Sequence, residues 1–158
     1  GFDISLTGMG VRKPLKEWKK LGVLRANGKP LPMADIEASL MVPAGYKGPA
    51  FLAYKNYRTI MVWNRSHLYA LAVGHLADRL AGRGALVTSP PAGDTPMSRT
   101  DIKTLQRLLN ARGLDAGAPD GMLGPKTRGA VRSYQKSTGL PPDGYATIEL
   151  VRQLEAGG

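Results

Sequence analysis

A stretch rich in Gly, Pro, Ser and Thr interrupts the chain at positions 83–97 and contains few residues that could form a periodic apolar core. Such a composition favours a linker between separately folded parts. With 158 residues, the chain is long enough for a small core on each side of this stretch. The sequence therefore predicts two folded parts, at 1–82 and 98–158.

The first part shows patterns typical of short helices around a β-hairpin. Apolar residues recur on one helical face at 15–21, and two apolar runs at 38–42 and 50–54 are separated by Pro and Gly, as hairpin strands are. Two further helical patterns follow at 57–64 and 66–82. The last predicts a packed helix and not a membrane span, because polar residues interrupt its apolar face. The apolar positions of that face are Leu68, Leu71, Ala72, Leu76 and Leu80.

The second part carries three sets of helix signals. A first helix is predicted to begin at a Ser98 or Thr100 cap, and a second to run from Pro125 to Gly139. A shorter third helix has apolar residues at helical spacing within 148–154. Three short helices predict a small bundle, so the fold class of the whole chain is expected to be mainly α with a small β-hairpin.

Composition and charge narrow the possible functions. The chain has no Cys, and its two His residues, His67 and His75, are eight positions apart, too far for two ligands of one metal on a helix. No metal or other cofactor is therefore predicted. The formal net charge of +10 attracts acidic polymers, but Lys and Arg are scattered without a long basic run. Nucleic acid is accordingly not the predicted partner.

Short motifs of the second part resemble the peptidoglycan-binding module found beside many wall-active enzymes. Two Asp-Gly pairs, Asp120-Gly121 and Asp143-Gly144, suit tight loops, because Gly tolerates positive φ and Asp bonds the local backbone. The resemblance implies a three-helix peptidoglycan-binding domain at 98–158. Its other matching residues are Leu105-Gln106, Leu109, Gly124, Thr127, Ala130-Val131, Tyr134-Gln135 and Gly139-Leu140.

The first part resembles the C-terminal end of the catalytic domain of the membrane-bound lytic murein transglycosylase B family. The most specific piece is the block 64–73, which has the pattern Asn-x-Ser-x-x-Tyr-Ala-x-Ala-Val. The resemblance covers nearly all of 1–82 and implies the end of a lysozyme-like domain, with 83–97 as the linker. The other matching pieces are Gly1-Phe2-Asp3, Trp18, Leu21-Gly22-Val23, Gly48-Pro49-Ala50-Phe51-Leu52, Asn56-Tyr57 and Ile60.

This second resemblance implies non-hydrolytic cleavage of the MurNAc-GlcNAc glycosidic bond of peptidoglycan. One glutamate acts first as acid and then as base, while the 6-hydroxyl of the sugar attacks the anomeric carbon and leaves a 1,6-anhydroMurNAc end. In the family, that glutamate lies upstream of the segment that resembles Gly1-Phe2-Asp3. No catalytic residue is therefore predicted in this chain, which is expected to be inactive alone. Glu17 and Glu37 are better interpreted as solvated surface residues.

Four residues at the start of the helix predicted at 66–82, and just before it, are expected to bind substrate, because the matching family positions line the cleft: Trp63, Asn64, Ser66 and Tyr69. Trp63 stands where the family pattern has Tyr. It keeps an aromatic face for a sugar ring but offers an indole N–H in place of a hydroxyl. Structural explanations stay open, namely a core position for Trp63 and helix caps for Asn64 and Ser66.

In the second part, the polar groups beside the loops are the predicted substrate-binding residues: Arg128, Tyr134 and Gln135. Peptidoglycan stem peptides carry carboxylates, to which Arg128, Arg132 and Lys126 can offer charge-assisted hydrogen bonds. The competing explanation is that most residues of these motifs only shape the loops and the core.

Together, these features predict the C-terminal portion of an exported, periplasmic lytic murein transglycosylase. Its predicted partners are the glycan strands and stem peptides of peptidoglycan, and no membrane span is expected within the chain itself. A membrane anchor upstream of the chain stays open. The alternative is a noncatalytic wall-anchoring protein that uses both folds as binding surfaces. The two differ in the upstream sequence, where only the enzyme carries the catalytic glutamate.

Overall fold

Three short antiparallel strands, β1 (Lys13–Pro14), β2 (Glu37–Met41) and β3 (Phe51–Ala53), lie side by side in that order in the computed structural model, which describes residues 1–157. Leu40 of β2 lies opposite Leu52 of β3. The predicted hairpin is thus confirmed, and β1 is a further strand that the sequence patterns did not indicate.

Successive side chains of a strand point to opposite faces of the sheet. In β2 the four side chains from Ala38 to Met41 are all buried, so the strand is covered on both faces. Ala38 and Leu40 belong to one apolar cluster, whereas Met41 belongs to another. Ser39, between Ala38 and Leu40 in sequence, is fully buried. The strand therefore separates the first part of the chain into two small cores.

The first of these cores is built around helix α1 (Leu15–Lys20). Trp18 of this helix is 0% exposed, and its indole N–H donates a hydrogen bond of 2.9 Å to the carbonyl of Ala38. Leu15 is also buried, but the helix ends at Lys20, and Leu21 is 39% exposed. The inward face predicted from 15–21 is therefore shorter than its spacing indicated.

The second core lies between β2, β3 and two consecutive helices, α2 (Lys55–Trp63) and α3 (His67–Leu80). Tyr57 of α2 and Ala70 of α3 are its buried helical residues. The helix bounds agree with the patterns predicted at 57–64 and 66–82. No helix within residues 1–157 is long and apolar enough to cross a membrane.

The apolar row predicted to pack α3 is mostly exposed, which corrects the sequence interpretation. Leu68, Leu76 and Leu80 are 70%, 60% and 82% exposed, respectively. The small side chain of Ala70 is buried instead, and Leu71 packs beside it. Helical spacing identifies an apolar face but not the element that covers it, and within this chain α3 packs through a narrower strip.

The later part of the chain is a bundle of three helices, α4 (Arg99–Ala111), α5 (Pro125–Ser137) and α6 (Ile148–Ala156). Ser98 caps α4 in a capping box with Asp101, Pro125 occupies the first turn of α5, and Thr147 caps α6. The helices pack around one apolar core, whose fully buried members include Leu105, Leu109, Val131 and Leu154.

Residue contacts divide the chain into two units, Gly1–Pro90 and Pro91–Gly158. The boundary falls within the stretch 83–97 that composition predicts to be a linker. Met97, near the end of that stretch, packs against the core of the second unit. The bounds of the two predicted domains and of the linker stay a prediction.

Candidate functional site

The corner between α2 and α3, here Trp63 to Tyr69, carries four of the predicted substrate-binding residues. Trp63 is the last residue of α2, and its side chain is 90% exposed. Tyr69, in the first turn of α3, is about half exposed at 49%. A core position for Trp63, one of the two explanations left open by the sequence, is not found within residues 1–157.

Asn64 and Ser66 shape the backbone of this corner. The side-chain oxygen of Asn64 accepts a hydrogen bond of 3.0 Å from the backbone N–H of Ser66. The Ser66 hydroxyl oxygen in turn accepts one of 3.2 Å from the backbone N–H of Tyr69 and caps α3. The capping explanation thus describes Ser66 in this chain, and a role of either residue in substrate binding stays a prediction.

A contact between the two helices holds the corner together. The hydroxyl of Tyr57 and Nδ1 of His67 are hydrogen-bonded at 2.9 Å, and the two rings stack with centroids 6.1 Å apart. Tyr57 is buried in the second core and His67 begins α3. The start of α3 is therefore tied to the sheet through Tyr57. Neither Tyr57 nor His67 was predicted to belong to the site. The only signal in the sequence was that both fall within pieces that resemble the transglycosylase family, Asn56-Tyr57 and the block 64–73.

Arg58 ties α2 to strand β2 and to the segment before β1. Its guanidinium donates to the hydroxyl of the buried Ser39 at 2.6 Å and to the carbonyl of Met9 at 2.9 Å. An open depression of about 360 Å³ lies beside it. None of the predicted substrate-binding residues lines this depression, whose walls include Arg12, Glu37, Tyr54, Lys55, Asn56 and Arg58.

The two glutamates of the first unit, Glu17 and Glu37, lie in surface ion pairs. Glu17 makes a loose ion pair with Lys13 at 3.8 Å, and Glu37 pairs with Arg12, so both behave as the surface residues that the sequence predicts. Within residues 1–157, no group of three or more His, Asp or Glu side chains is placed to hold a metal ion.

In the second unit, two glutamines each hold one Asp-Gly loop. The side-chain amide of Gln106 donates to Oδ1 of Asp120 at 3.0 Å and accepts from the N–H of Gly121 at 3.0 Å. Its N–H group also reaches Thr127 Oγ1 at 3.1 Å. We call this arrangement the first clasp, and the loop Asp120-Gly121-Met122 the first loop. Hydrogen bonds from the amide of Gln106 and from the backbone N–H of Met122 lower the pKa of the Asp120 carboxyl.

The second clasp repeats this geometry at the loop Asp143-Gly144-Tyr145, the second loop. The amide of Gln135 donates to Oδ1 of Asp143 at 2.7 Å and accepts from the N–H of Gly144 at 2.8 Å. Arg132 supports the same loop by donating to the carbonyl of Asp143 at 3.1 Å. Gln135 is only 7% exposed, so its amide serves the loop.

Only glycine fits the middle position of either loop. Gly121 and Gly144 have φ of +78° and +72°. A Cβ at Gly121 would lie 2.8 Å from the carbonyl oxygen of Arg99, and one at Gly144 would lie 2.9 Å from that of Arg128. Each loop therefore lies directly against the first turn of a helix. The positive φ of both glycines agrees with the tight loops that the Asp-Gly motifs predict.

The other predicted residues of the module occupy varied positions. Arg128 is half-buried beside the second loop, and Tyr134 is half-buried against the helical core. Lys126 pairs with Asp115 at 3.0 Å, and hydrogen bonds from Lys126 and from the backbone of Gly117 lower the pKa of that carboxyl. Their binding of stem peptides stays a prediction.

Both units of this fold, the helices around a small sheet and the three-helix bundle, match known domain families. Residues 1–78 match the family described as the transglycosylase SLT domain, and residues 98–154 match a family described as a peptidoglycan binding domain. The chain therefore combines a match to a transglycosylase SLT domain with a match to a peptidoglycan binding domain.

Two crystal structures of SltB3 from Pseudomonas aeruginosa are similar to this chain over 98% of its length, at 49% sequence identity and TM-scores of 0.93 and 0.92. One holds NAG-anhNAM-pentapeptide and the other NAG-NAM-pentapeptide. The match covers 42% of the SltB3 chain. The N-acetylmuramoyl-L-alanine amidase CwlM of Mycobacterium tuberculosis is 39% identical over 59 residues, which are 37% of this chain and 14% of that protein. The chain thus spans less than half the length of either relative.

Proposed function

We propose that this chain is the C-terminal portion of a periplasmic lytic murein transglycosylase, in which it supplies one wall of the sugar cleft and a peptidoglycan-binding module. The observation that carries this proposal is the 49% identity, over 98% of the chain, to SltB3 in complex with peptidoglycan fragments. The membrane-bound character and the membrane anchor of the resembling family stay predictions.

The reaction of the parent protein is cleavage of the MurNAc-GlcNAc bond with formation of 1,6-anhydroMurNAc. A glutamate protonates the leaving glycosidic oxygen and then takes the proton of the 6-hydroxyl, whose oxygen closes on the anomeric carbon. That glutamate belongs to the preceding part of the parent protein. In support, Glu17 and Glu37 are paired with surface cations, and Glu149 and Glu155 lie on the last helix of the module.

The exposed apolar row on α3 supports a preceding part of this kind. Leu68, Leu76 and Leu80 would be covered by the remaining portion of a lysozyme-like domain, as contiguous apolar surface of a helix normally is. The match to 42% of SltB3 leaves ample length for such a portion. The packing that the leucine spacing predicts would then be found in the parent protein.

Trp63 and Tyr69 are the contributions of the corner to the cleft. An exposed indole at the end of a helix offers a flat face on which a sugar ring can stack, and the Tyr69 hydroxyl can hydrogen-bond a sugar hydroxyl. Tyr57 and His67 hold the start of α3 and so position Tyr69. The corner binds sugar in this proposal, and it takes no part in proton transfer.

The module holds the enzyme on its polymeric substrate. Its basic residues near the loops, such as Arg128, face a polymer whose stem peptides carry carboxylates. Binding to the wall keeps the linked catalytic domain close to many cleavable bonds, which raises their effective concentration.

Co-sedimentation of the full chain with purified sacculi tests the proposal. We expect the chain to pellet with sacculi in 0.1 M and in 1 M salt, because contacts in a shaped site persist when the Debye length falls from about 10 Å to about 3 Å. No soluble anhydro-muropeptides should be released, as measured by mass spectrometry. Loss of binding at 1 M salt would reduce the wall-binding proposal to charge attraction, and release of anhydro products would place the catalytic residue within this chain.

A further inference from the structure

The second unit contains an internal repeat that reveals which side chains its loops require. Arg99 and Gln106 on α4 are seven positions apart, as are Arg128 and Gln135 on α5. In each case the first residue lies against the loop glycine through its backbone carbonyl, and the glutamine clasps the loop. The two loops are therefore held by equivalent contacts.

The third residue of each loop differs between the two repeats. Met122 and Tyr145 both donate their backbone N–H to the loop aspartate, at 2.8 Å in each case. The side chain of Met122 is 60% exposed. Since a methionine suffices at this position, the phenol of Tyr145 is not needed to hold the loop.

The phenol of Tyr145 instead forms a hydrogen bond with a carboxylate. Its hydroxyl donates a hydrogen bond to Oδ2 of Asp94, which is 51 positions earlier in the chain and within the stretch 83–97. Arg128 lies near enough to act on the phenol electrostatically, while its carbonyl borders Gly144. Burial and the Asp94 contact raise the pKa of Tyr145 to about 12, so the hydroxyl remains a donor at any physiological pH. The phenol thus holds a carboxylate as a neutral hydrogen-bond donor, and the cationic side chain of Arg128 lies near the phenol.

We propose that Tyr145 and Arg128 form a binding site for a carboxylate of the peptidoglycan stem peptide, and that Asp94 occupies this site until the stem peptide displaces it. The proposal rests on the proposed function, from which it takes the identity of the polymer. It adds the part of the polymer that is recognised and an internal competitor for the same site.

Competition with a tethered carboxylate weakens the binding of the free ligand by a definite factor. An exposed polar or ionic contact of this kind favours the occupied state by a factor of about 1.4 to 5. The apparent dissociation constant of the ligand is multiplied by one plus this ratio of occupied to open sites. Removal of the Asp94 charge should therefore tighten binding about two- to sixfold.

Titration calorimetry with soluble NAG-NAM-pentapeptide tests the site, and NAG-NAM without a peptide serves as the control ligand. We expect Asp94→Asn to bind the pentapeptide about two- to sixfold more tightly than the wild-type chain, and to bind NAG-NAM unchanged. Thr95→Ala, a neighbouring exposed change, should alter neither affinity.

Substitutions in the two loops complete the test. Tyr145→Phe should weaken pentapeptide binding and abolish the gain from Asp94→Asn in the double variant, whereas Met122→Leu at the equivalent position of the first loop should have no effect. Unchanged or weaker pentapeptide binding by Asp94→Asn, with a wild-type chain that binds, would overturn this inference and leave the proposed function intact. A wild-type chain that binds neither probe nor sacculi would overturn the proposed function itself.

Discussion

The amide of Gln135 donates to the carboxylate of Asp143 at 2.7 Å, and both side chains are buried. The surface ion pairs of the chain, such as Lys126 with Asp115, are largely exposed. Exposed pairs contribute about 0–1 kcal/mol, whereas a hydrogen bond to a charged group contributes about 1.5–3 kcal/mol and is costly to leave unmade when buried. The stability of the module therefore depends more on its two clasps than on its surface charges.

Gln135→Ala should destabilise the second unit by about 3 kcal/mol, because it removes the buried hydrogen bonds that Gln135 makes to Asp143 and to the N–H of Gly144. Urea denaturation of the full chain, followed by far-UV circular dichroism, measures the change. The neighbouring exposed residue provides the control, since Lys136→Ala should cost less than about 0.5 kcal/mol. Equal midpoints for the two variants would show that the clasp is energetically unimportant.

Two glycines near α5 should respond in opposite directions to alanine. Gly144→Ala should cost at least about 1–2 kcal/mol, because its φ of +72° disfavours a Cβ and the carbonyl of Arg128 lies 2.9 Å away. Gly129→Ala, within α5 and with open space around its Cβ position, should stabilise by up to about 1 kcal/mol. Melting temperatures of the two variants give the comparison, and a stable Gly144→Ala variant would contradict the close approach of loop and helix.

The two tryptophans should separate stability from sugar binding. Trp18→Ala should cost about 3–5 kcal/mol, because the indole is fully buried and hydrogen-bonded, whereas Trp63→Ala should change stability by less than about 0.5 kcal/mol. In the proposed parent enzyme, Trp63→Ala should strongly lower turnover on sacculi. Normal turnover in that variant would remove Trp63 from the cleft.

The phenol of Tyr145 should make the second unit less stable in strong alkali. Burial first, and then Asp94, raise the pKa of Tyr145 to about 12 in the folded chain, whereas an unfolded tyrosine titrates at about 10. Between these values the unfolded state loses the proton that the folded state retains, so stability is full below about pH 10 and falls up to about pH 12. Burial also raises the pKa of Tyr54, which both the wild type and Tyr145→Phe contain. The difference between their denaturation curves across this pH range therefore isolates the effect of Tyr145. Parallel pH profiles of the two proteins would contradict it.

Residues 91–158 should fold without the rest of the chain. Their helices have complete start signals, including the Ser98 capping box, and one shared apolar core. We expect a cooperative melt and a dispersed NMR spectrum from this segment alone. A disordered spectrum would show that the first unit is required for folding.

Features with local causes were predicted well from the sequence. Pro and Gly around 38–42 and 50–54 indicate the hairpin, and Ser66, Ser98 and Pro125 mark helix starts that the structure contains. Capping and turn formation depend on residues within a few positions, so the sequence pattern carries the information.

Features that depend on distant partners were not predicted. The spacing of Leu68, Leu76 and Leu80 on α3 indicates an apolar face but cannot say what covers it. The contact of Tyr57 with His67 joins two helices, and that of Tyr145 with Asp94 joins residues 51 positions apart. Gln135 was assigned to substrate binding from its motif, although its amide is engaged by the second loop. Its role toward substrate stays a prediction.

The exposed leucines of α3 also govern how the free chain behaves in concentrated solution. A contiguous apolar strip favours self-association, and the net charge of +10 opposes it by mutual repulsion. Raising the salt to 1 M screens the repulsion but leaves the apolar attraction in place. Pelleting at high salt can therefore arise from aggregation as well as from binding, and a tube without sacculi distinguishes the two.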